Sequence, residues 1–146
     1  MYFLNLLIVA VSINLTGGPR WVENLDDAKA LARQEEKLIL LLFSGSDWCR
    51  NCILLDHEVV SSTEFNQLAE HHLILLKADF PRKRKNQLPE GQQSLNQSLA
   101  AKFNPEGEFP KAILLDANEN ILLESGYGQG QKQLFLKHLE AKVHHE

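Results

Sequence analysis

The stretches Leu38 to Phe43 (LILLLF) and Leu73 to Leu76 (LILL) are apolar at every position. Neither alternates between apolar and polar, and neither has helical spacing. Runs this short and this uniform fit strands buried on both faces of a sheet, which requires helices on either side to cover them. The segments between and around them read accordingly. Glu23 to Lys37 carries Leu25, Ala28, Leu31 and Ala32 at helical spacing, with acids early and Arg33 and Lys37 late, as a helix dipole favours. Ser44-Gly45-Ser46-Asp47 breaks the first run with turn residues and supplies Ser46 or Asp47 as the expected N-cap of a second helix. That helix holds Cys52, Ile53, Leu55, Val59 and Val60, and a further helical stretch begins at Ser61 to Glu64 and runs to about His71.

The second run continues through Lys77-Ala78-Asp79-Phe80, and a polar loop with two prolines follows from Pro81 to Gln93. A short helix is predicted over Ser94 to Phe103, a strand over Lys111 to Asp116, and a turn at Asn118-Glu119-Asn120. A fourth strand follows at Ile121 to Ser125, and an amphipathic helix closes the chain over Gln131 to Val143. The fold class is therefore α/β: a mixed sheet flanked by helices, alternating at first and ending in a hairpin. With 146 residues, 44% of them hydrophobic, one domain can bury a core without cross-links. The formal charge of -4 argues against nucleic acid as a partner, since phosphate binding needs a surplus of Lys and Arg.

Cys49 and Cys52 are the only cysteines, and they sit at the junction of a buried strand and a helix. A thiolate at a helix N-terminus is stabilised by unpaired N–H groups, and Arg50 adds positive potential. Cys49 is thus the expected nucleophile and Cys52 the resolving thiol. A purely structural disulfide would gain little, because so short a loop constrains the unfolded chain weakly. Zinc would need a second pair of ligands at similar spacing, and none of the six histidines supplies one, so no metal site is expected.

Trp48-Cys49-Arg50-Asn51-Cys52 after one buried strand, together with Phe109-Pro110 before another, resembles the thioredoxin superfamily from about Trp21 to Val143. More narrowly, the stretches GSDWC, LKADFPRKRK and GYGQG look like exported bacterial thioredoxin-like proteins. The resemblance implies a three-layer fold, a redox pair at Cys49 and Cys52, and a cis-proline at Pro110 facing it. Substrate peptide would lie between Trp48 and Phe109. Lys77 matches a lysine near the active site of the family and, with Arg50, is a candidate for tuning the thiols. One departure stands out. Many thioredoxins have a buried aspartate six or seven positions before the first cysteine, where this chain has Phe43 and Leu42. Proton transfer to Cys52 would then fall to water or to Asp47.

The apolar run from Tyr2 to Leu15, followed by Thr16-Gly17-Gly18, reads as a secretory signal over residues 1–18, leaving 19–146 as one domain. Cleavage positions are offered near Gly18 and after Ser12. The expected location is the periplasm, with no stable membrane span once the signal is removed. The expected activity is thiol-disulfide exchange with protein disulfides and a redox partner, without a cofactor. The alternative is a redox-sensing binding module without efficient turnover, and a carrier of a soft ion such as Cu(I) is weaker, for want of a Met or His beside the pair. Pro81 to Lys85 (PRKRK) places four positive charges in one loop, either simply solvated or a docking patch for an acidic partner.

Overall fold

The computed structural model describes residues 17–144, so the expected signal falls almost wholly outside the described residues. Both apolar runs are strands at the centre of one five-stranded sheet. Strand β1 spans Arg20–Val22, β2 Leu38–Ser44, β3 Leu73–Asp79, β4 Lys111–Leu115 and β5 Ile121–Ser125, in the order β1-β3-β2-β4-β5. β2 runs parallel to β3 and antiparallel to β4, and the β4–β5 hairpin completes the mixed sheet.

Helices cover both faces, as the uniform runs require. Leu40 and Leu42 of β2 point into one core with Leu55, Val59, Phe65, Phe135 and Leu139. Ile39, Leu41 and Phe43 point into the other, with Ala28, Ala32, Leu99 and Phe103. The period-2 alternation of a strand thus sends a six-residue apolar run, Leu38 to Phe43, into opposite layers. Each such fully buried side chain contributes about 1.5–3 kcal/mol. Helices α2 (Arg50–Leu55), α3 (Thr63–His72) and α5 (Lys132–Val143) cover the first face, and α1 (Leu25–Glu35) and α4 (Glu90–Phe103) the second. No helix among the described residues is long and apolar enough to cross a membrane.

The helix ends follow their capping chemistry. The Asn24 side chain accepts from the Asp27 amide at 2.8 Å, starting α1. Glu36, in the left-handed region at φ 53°, ends it. Three features differ from the sequence expectation. The edge strand β1 was not expected, because Arg20 and Trp21 are exposed and three residues carry no readable period; its pairing to β3 makes it a strand. Helix α2 runs on into a π-helical turn over Asp56–Val60. Helix α4 begins at Glu90 rather than Ser94, its first turn held by Gln93 donating back to the Leu88 carbonyl at 2.7 Å instead of by apolar packing.

Candidate functional site: the cysteine turn and its surround

The parallel strands β2 and β3 end side by side, Ser44 opposite Asp79, and the turn after each meets there. The Asp79 carboxylate accepts from the Ser46 amide at 2.9 Å and the Ser46 hydroxyl at 2.6 Å, joining the two strand ends. Gly45 closes the turn by accepting from the Cys49 amide at 2.8 Å. A Cβ at Gly45 would stand 2.7 Å from Trp48 Nε1 and closer still to Cε2 and Cζ2, so the absence of a side chain lets the indole lie on the turn. The Trp48 Nε1–H donates to the Phe80 carbonyl at 2.7 Å and fixes the ring.

The N-cap of α2 is neither Ser46 nor Asp47 but Cys49 itself, whose Sγ accepts from the Cys52 amide at 3.2 Å. A sulfur therefore fills the role expected of a hydroxyl or carboxylate, because the two polar candidates are bound elsewhere. Cys49 and Cys52 form a disulfide, with Cα atoms 5.2 Å apart. Both residues are buried, Cys49 at 6% exposure and Cys52 at 1%, so Cys49 is the more accessible of the pair. The Gly45 amide lies 3.4 Å from Cys52 Sγ. With the Cys52 amide aimed at its sulfur, a Cys49 thiolate would receive a charge-assisted hydrogen bond.

Behind Cys52 there is no carboxylate from β2: Leu42 and Phe43 are both buried, at 2% and 0% exposure. The Ser44 hydroxyl is the one buried side-chain polar atom without a hydrogen-bond partner among the described residues. Asp47 does not take the proton-transfer place suggested for it. Its carboxylate accepts from the amides of Arg82 and Lys83, each at 2.9 Å, and from Asn86 Nδ2 at 3.0 Å. Lys77, beside Leu42 in register, donates to both oxygens of Asp56 at 2.9 and 3.0 Å. The carboxylate facing this strand lysine thus comes from the helical segment, one turn after Cys52, instead of from β2. Arg50 is exposed at the start of α2.

The bonds to Asp47 tie the PRKRK loop to the cysteine turn. They set the Arg82 guanidinium over the Trp48 ring, 3.7 Å from its centroid, a cation–π arrangement. The Arg82 amide, foremost, together with Asn86 and the Lys83 amide, holds the Asp47 carboxyl below its ordinary value against the opposing effect of desolvation. A carboxyl depressed in the folded state favours this arrangement above its unfolded value of 3.8, and the effect is lost as pH falls through the folded value. Acid titration of a Trp21→Phe variant should therefore show a Trp48 fluorescence change below about pH 4 that is absent in the same variant carrying Asp47→Asn. Identical titrations of the two proteins would contradict the tether.

Across the turn, Phe109 packs edge-to-face on Trp48 with centroids 5.4 Å apart, and on Phe80 at 5.6 Å. The Phe109–Pro110 peptide is cis. Buried Asn104 shapes the approach to it, accepting from the Glu108 amide at 2.9 Å and donating to its carbonyl at 2.8 Å. Trp48 and Phe109 touch, so the space between the rings is closed. The open surface is a groove of about 350 Å³ beside them, lined by Phe109, Pro110 and Tyr127 with Lys111 and its two ion-pair partners, Glu108 and Glu124. Gly45, Asn104 and Asp79 went unremarked in the sequence as site-builders, although a glycine and aspartates in turns beside a cysteine pair are visible signals.

Comparison with known proteins agrees with this arrangement. A family model described as thioredoxin-like matches residues 20–117. The chain is 37% identical over 108 residues to the disulfide bond reductase DsbH of Chlamydia pneumoniae, covering 74% of this chain and 63% of that protein. It is 28% identical over 107 residues to the thioredoxin-related protein DsbJ of the same organism, covering 73% and 30%. The chain therefore spans less than two thirds of the length of either relative. A solved structure of a DsbH oxidoreductase superposes with a TM-score of 0.77 at 30% identity, covering 89% of this chain and 88% of that one. A thioredoxin from Thermus thermophilus superposes at 0.62 and 21% identity, over 84% and 85% of the two chains, a likeness of fold.

Proposed function

Since the chain belongs to the thioredoxin-like family, we propose that it is a thiol-disulfide oxidoreductase acting on protein disulfides through Cys49 and Cys52. The observation that carries this is the geometry of the pair: a disulfide at the start of a helix, with the Cys52 amide on Cys49 Sγ. In the reduced protein the Cys49 thiolate attacks one sulfur of a substrate disulfide. The substrate S–S bond breaks, its other sulfur leaves as a thiolate, and a mixed disulfide joins Cys49 to the substrate. The Cys52 thiolate then attacks Cys49 Sγ, forming the Cys49–Cys52 disulfide and releasing the second substrate thiolate. Two electrons pass to the substrate, and a donor dithiol must return them before the next cycle.

The likeness to a disulfide bond reductase supports the reductive direction. Substrate backbone would run along the groove at Phe109 and Pro110, with Phe109 packed on Trp48 at its edge. Arg50 raises the local positive potential, while Lys77 acts through Asp56 at the far end of the same helical turn. The apolar segment from Tyr2 to Leu15 supports export, and an oxidising compartment is where protein disulfides persist as substrates. With dithiothreitol as donor, the protein should accelerate reduction of a disulfide-bonded model protein, and Cys49→Ser should return the rate to the uncatalysed one. Acceleration equal in the parent and in Cys49→Ser would remove the proposal.

A second reading is a redox-sensing binding module, favoured by the apolar Leu42 and Phe43 where a carboxylate would assist turnover. It predicts that a Cys49→Ser, Cys52→Ser double variant keeps its partner's affinity. Loss of that affinity leaves the oxidoreductase.

A further inference from the structure

Of the fifteen lysines and arginines, eight form no ion pair among the described residues; Arg33, Lys137 and Lys142 are scattered over the surface, and the other five lie together. Seven different lysine and arginine side chains stand in ion pairs, spread over the fold. Arg50, Arg82, Lys83, Arg84 and Lys85 form none among the described residues, and all five are exposed around the cysteine turn. The carboxylates in the same turn, Asp47 and Asp79, are turned to amides and to Ser46. Within the turn and its loop five positive charges thus stand against two negative ones, while Glu108 and Glu124 of the neighbouring groove are paired with Lys111 and the whole chain has a formal charge of -4. The rest of the molecule carries the compensating acidic excess.

This rim is held in place. Asp47 binds the loop backbone, the Gln87 side chain donates to the Pro81 carbonyl at 2.8 Å, and Arg82 is stacked on Trp48, the residue before Cys49. A merely solvated charged loop has no need of such anchoring. A positive rim on an acidic body orients an incoming negative surface toward one place, raising its encounter rate there and repelling it elsewhere. That place is the disulfide.

We propose that the basic rim formed by Arg50 and Arg82 to Lys85 selects protein substrates whose disulfide is flanked by aspartate and glutamate. The partner is a protein rather than another polyanion, because these cations sit on the cysteine turn and on the loop tied to it, beside a sulfur that must meet a substrate sulfur. This rests on the oxidoreductase reading given above and names its substrate class. Discrimination arises at encounter, so it is lost as salt shortens the Debye length, about 10 Å at 0.1 M.

The test uses two disulfide-bridged peptides of identical length, one with acidic and one with basic flanks, and the uncharged 2-hydroxyethyl disulfide. With dithiothreitol returning electrons to the protein and its direct reaction subtracted, kcat/KM for the acidic peptide should be about 10-fold higher than for the basic one at low salt, the preference shrinking as salt rises. A Lys83→Ser, Arg84→Ser, Lys85→Ser variant should lose most of that preference. Equal kcat/KM for the two peptides, or a preference untouched by the triple substitution, overturns the rim's role. Failure of the parent to react with any of the three disulfides overturns the oxidoreductase reading instead. Preference for the basic peptide would overturn the charge argument outright.

Discussion

Replacing Cys52 with serine should convert the protein from a turnover catalyst into a trap, accumulating mixed disulfides on Cys49 and lowering multiple-turnover reduction by roughly a hundred-fold or more. The reason lies in the order of the two displacements. Cys49, the more exposed residue of the pair, makes the first attack, and only Cys52 is placed to make the second without leaving the protein. A serine hydroxyl at that position is a far weaker nucleophile than a thiolate, so the intermediate waits for an external thiol. The adduct should appear on a non-reducing gel at the summed mass of the two chains and collapse on reduction. Cys49→Ser should yield no comparable adduct, because Cys52 is 1% exposed. Equal trapping by both variants would mean that the pair is not ordered in this way.

Gly45→Ala should have the largest structural effect of any single methyl addition at the site. The new Cβ would overlap the Trp48 indole, whose Nε1–H is committed to the Phe80 carbonyl and whose face is covered by Arg82. The ring cannot swing aside without giving up both, and overpacking of this kind costs about 1–3 kcal/mol. Denaturant unfolding should show the loss as a lower midpoint at unchanged slope. In a Trp21→Phe background the remaining indole should change its emission, reporting departure from the Phe80 carbonyl. A parent-like midpoint with parent-like emission would show that Gly45 has no steric role.

Much of the architecture was legible because the two central strands each hold an unbroken apolar run, Leu38 to Phe43 and Leu73 to Leu76, which leaves few ways to satisfy them. Burial on both faces of the sheet demands covering helices, and the segments between the strands carry the helical period. The Asn118-Glu119-Asn120 turn likewise announced the hairpin, and the resemblance carried by Phe109-Pro110 placed the cis peptide correctly. What escaped reading depends on partners distant in sequence. β1 is a strand only because Ile74, Leu75 and Leu76 lie beside it.

Asp47 looked like a helix cap since aspartate before a helix usually is one. Its actual donors stand in a loop 35 residues on and beyond, and no local pattern discloses them. The same holds for Lys77, whose strand position was legible but whose counter-charge on Asp56 was not. The charged loop itself changed meaning most. As sequence it was four positive charges between turn residues; in the fold it is fastened to the residue two places before the nucleophile. The missing carboxylate behind Cys52 persists as a real feature, with Leu42 and Phe43 wholly in the two cores.

The most direct test of the account is which sulfur of the reduced protein reacts first. Brief exposure to limiting iodoacetamide near neutral pH, followed by acid quenching and mass-spectrometric mapping, separates the two cysteines in one unmodified chain. Label should enter Cys49 at least about ten times faster than Cys52, since thiolate character and access decide the rate. Labelling of Cys52 first, or of both at the same rate, would contradict it.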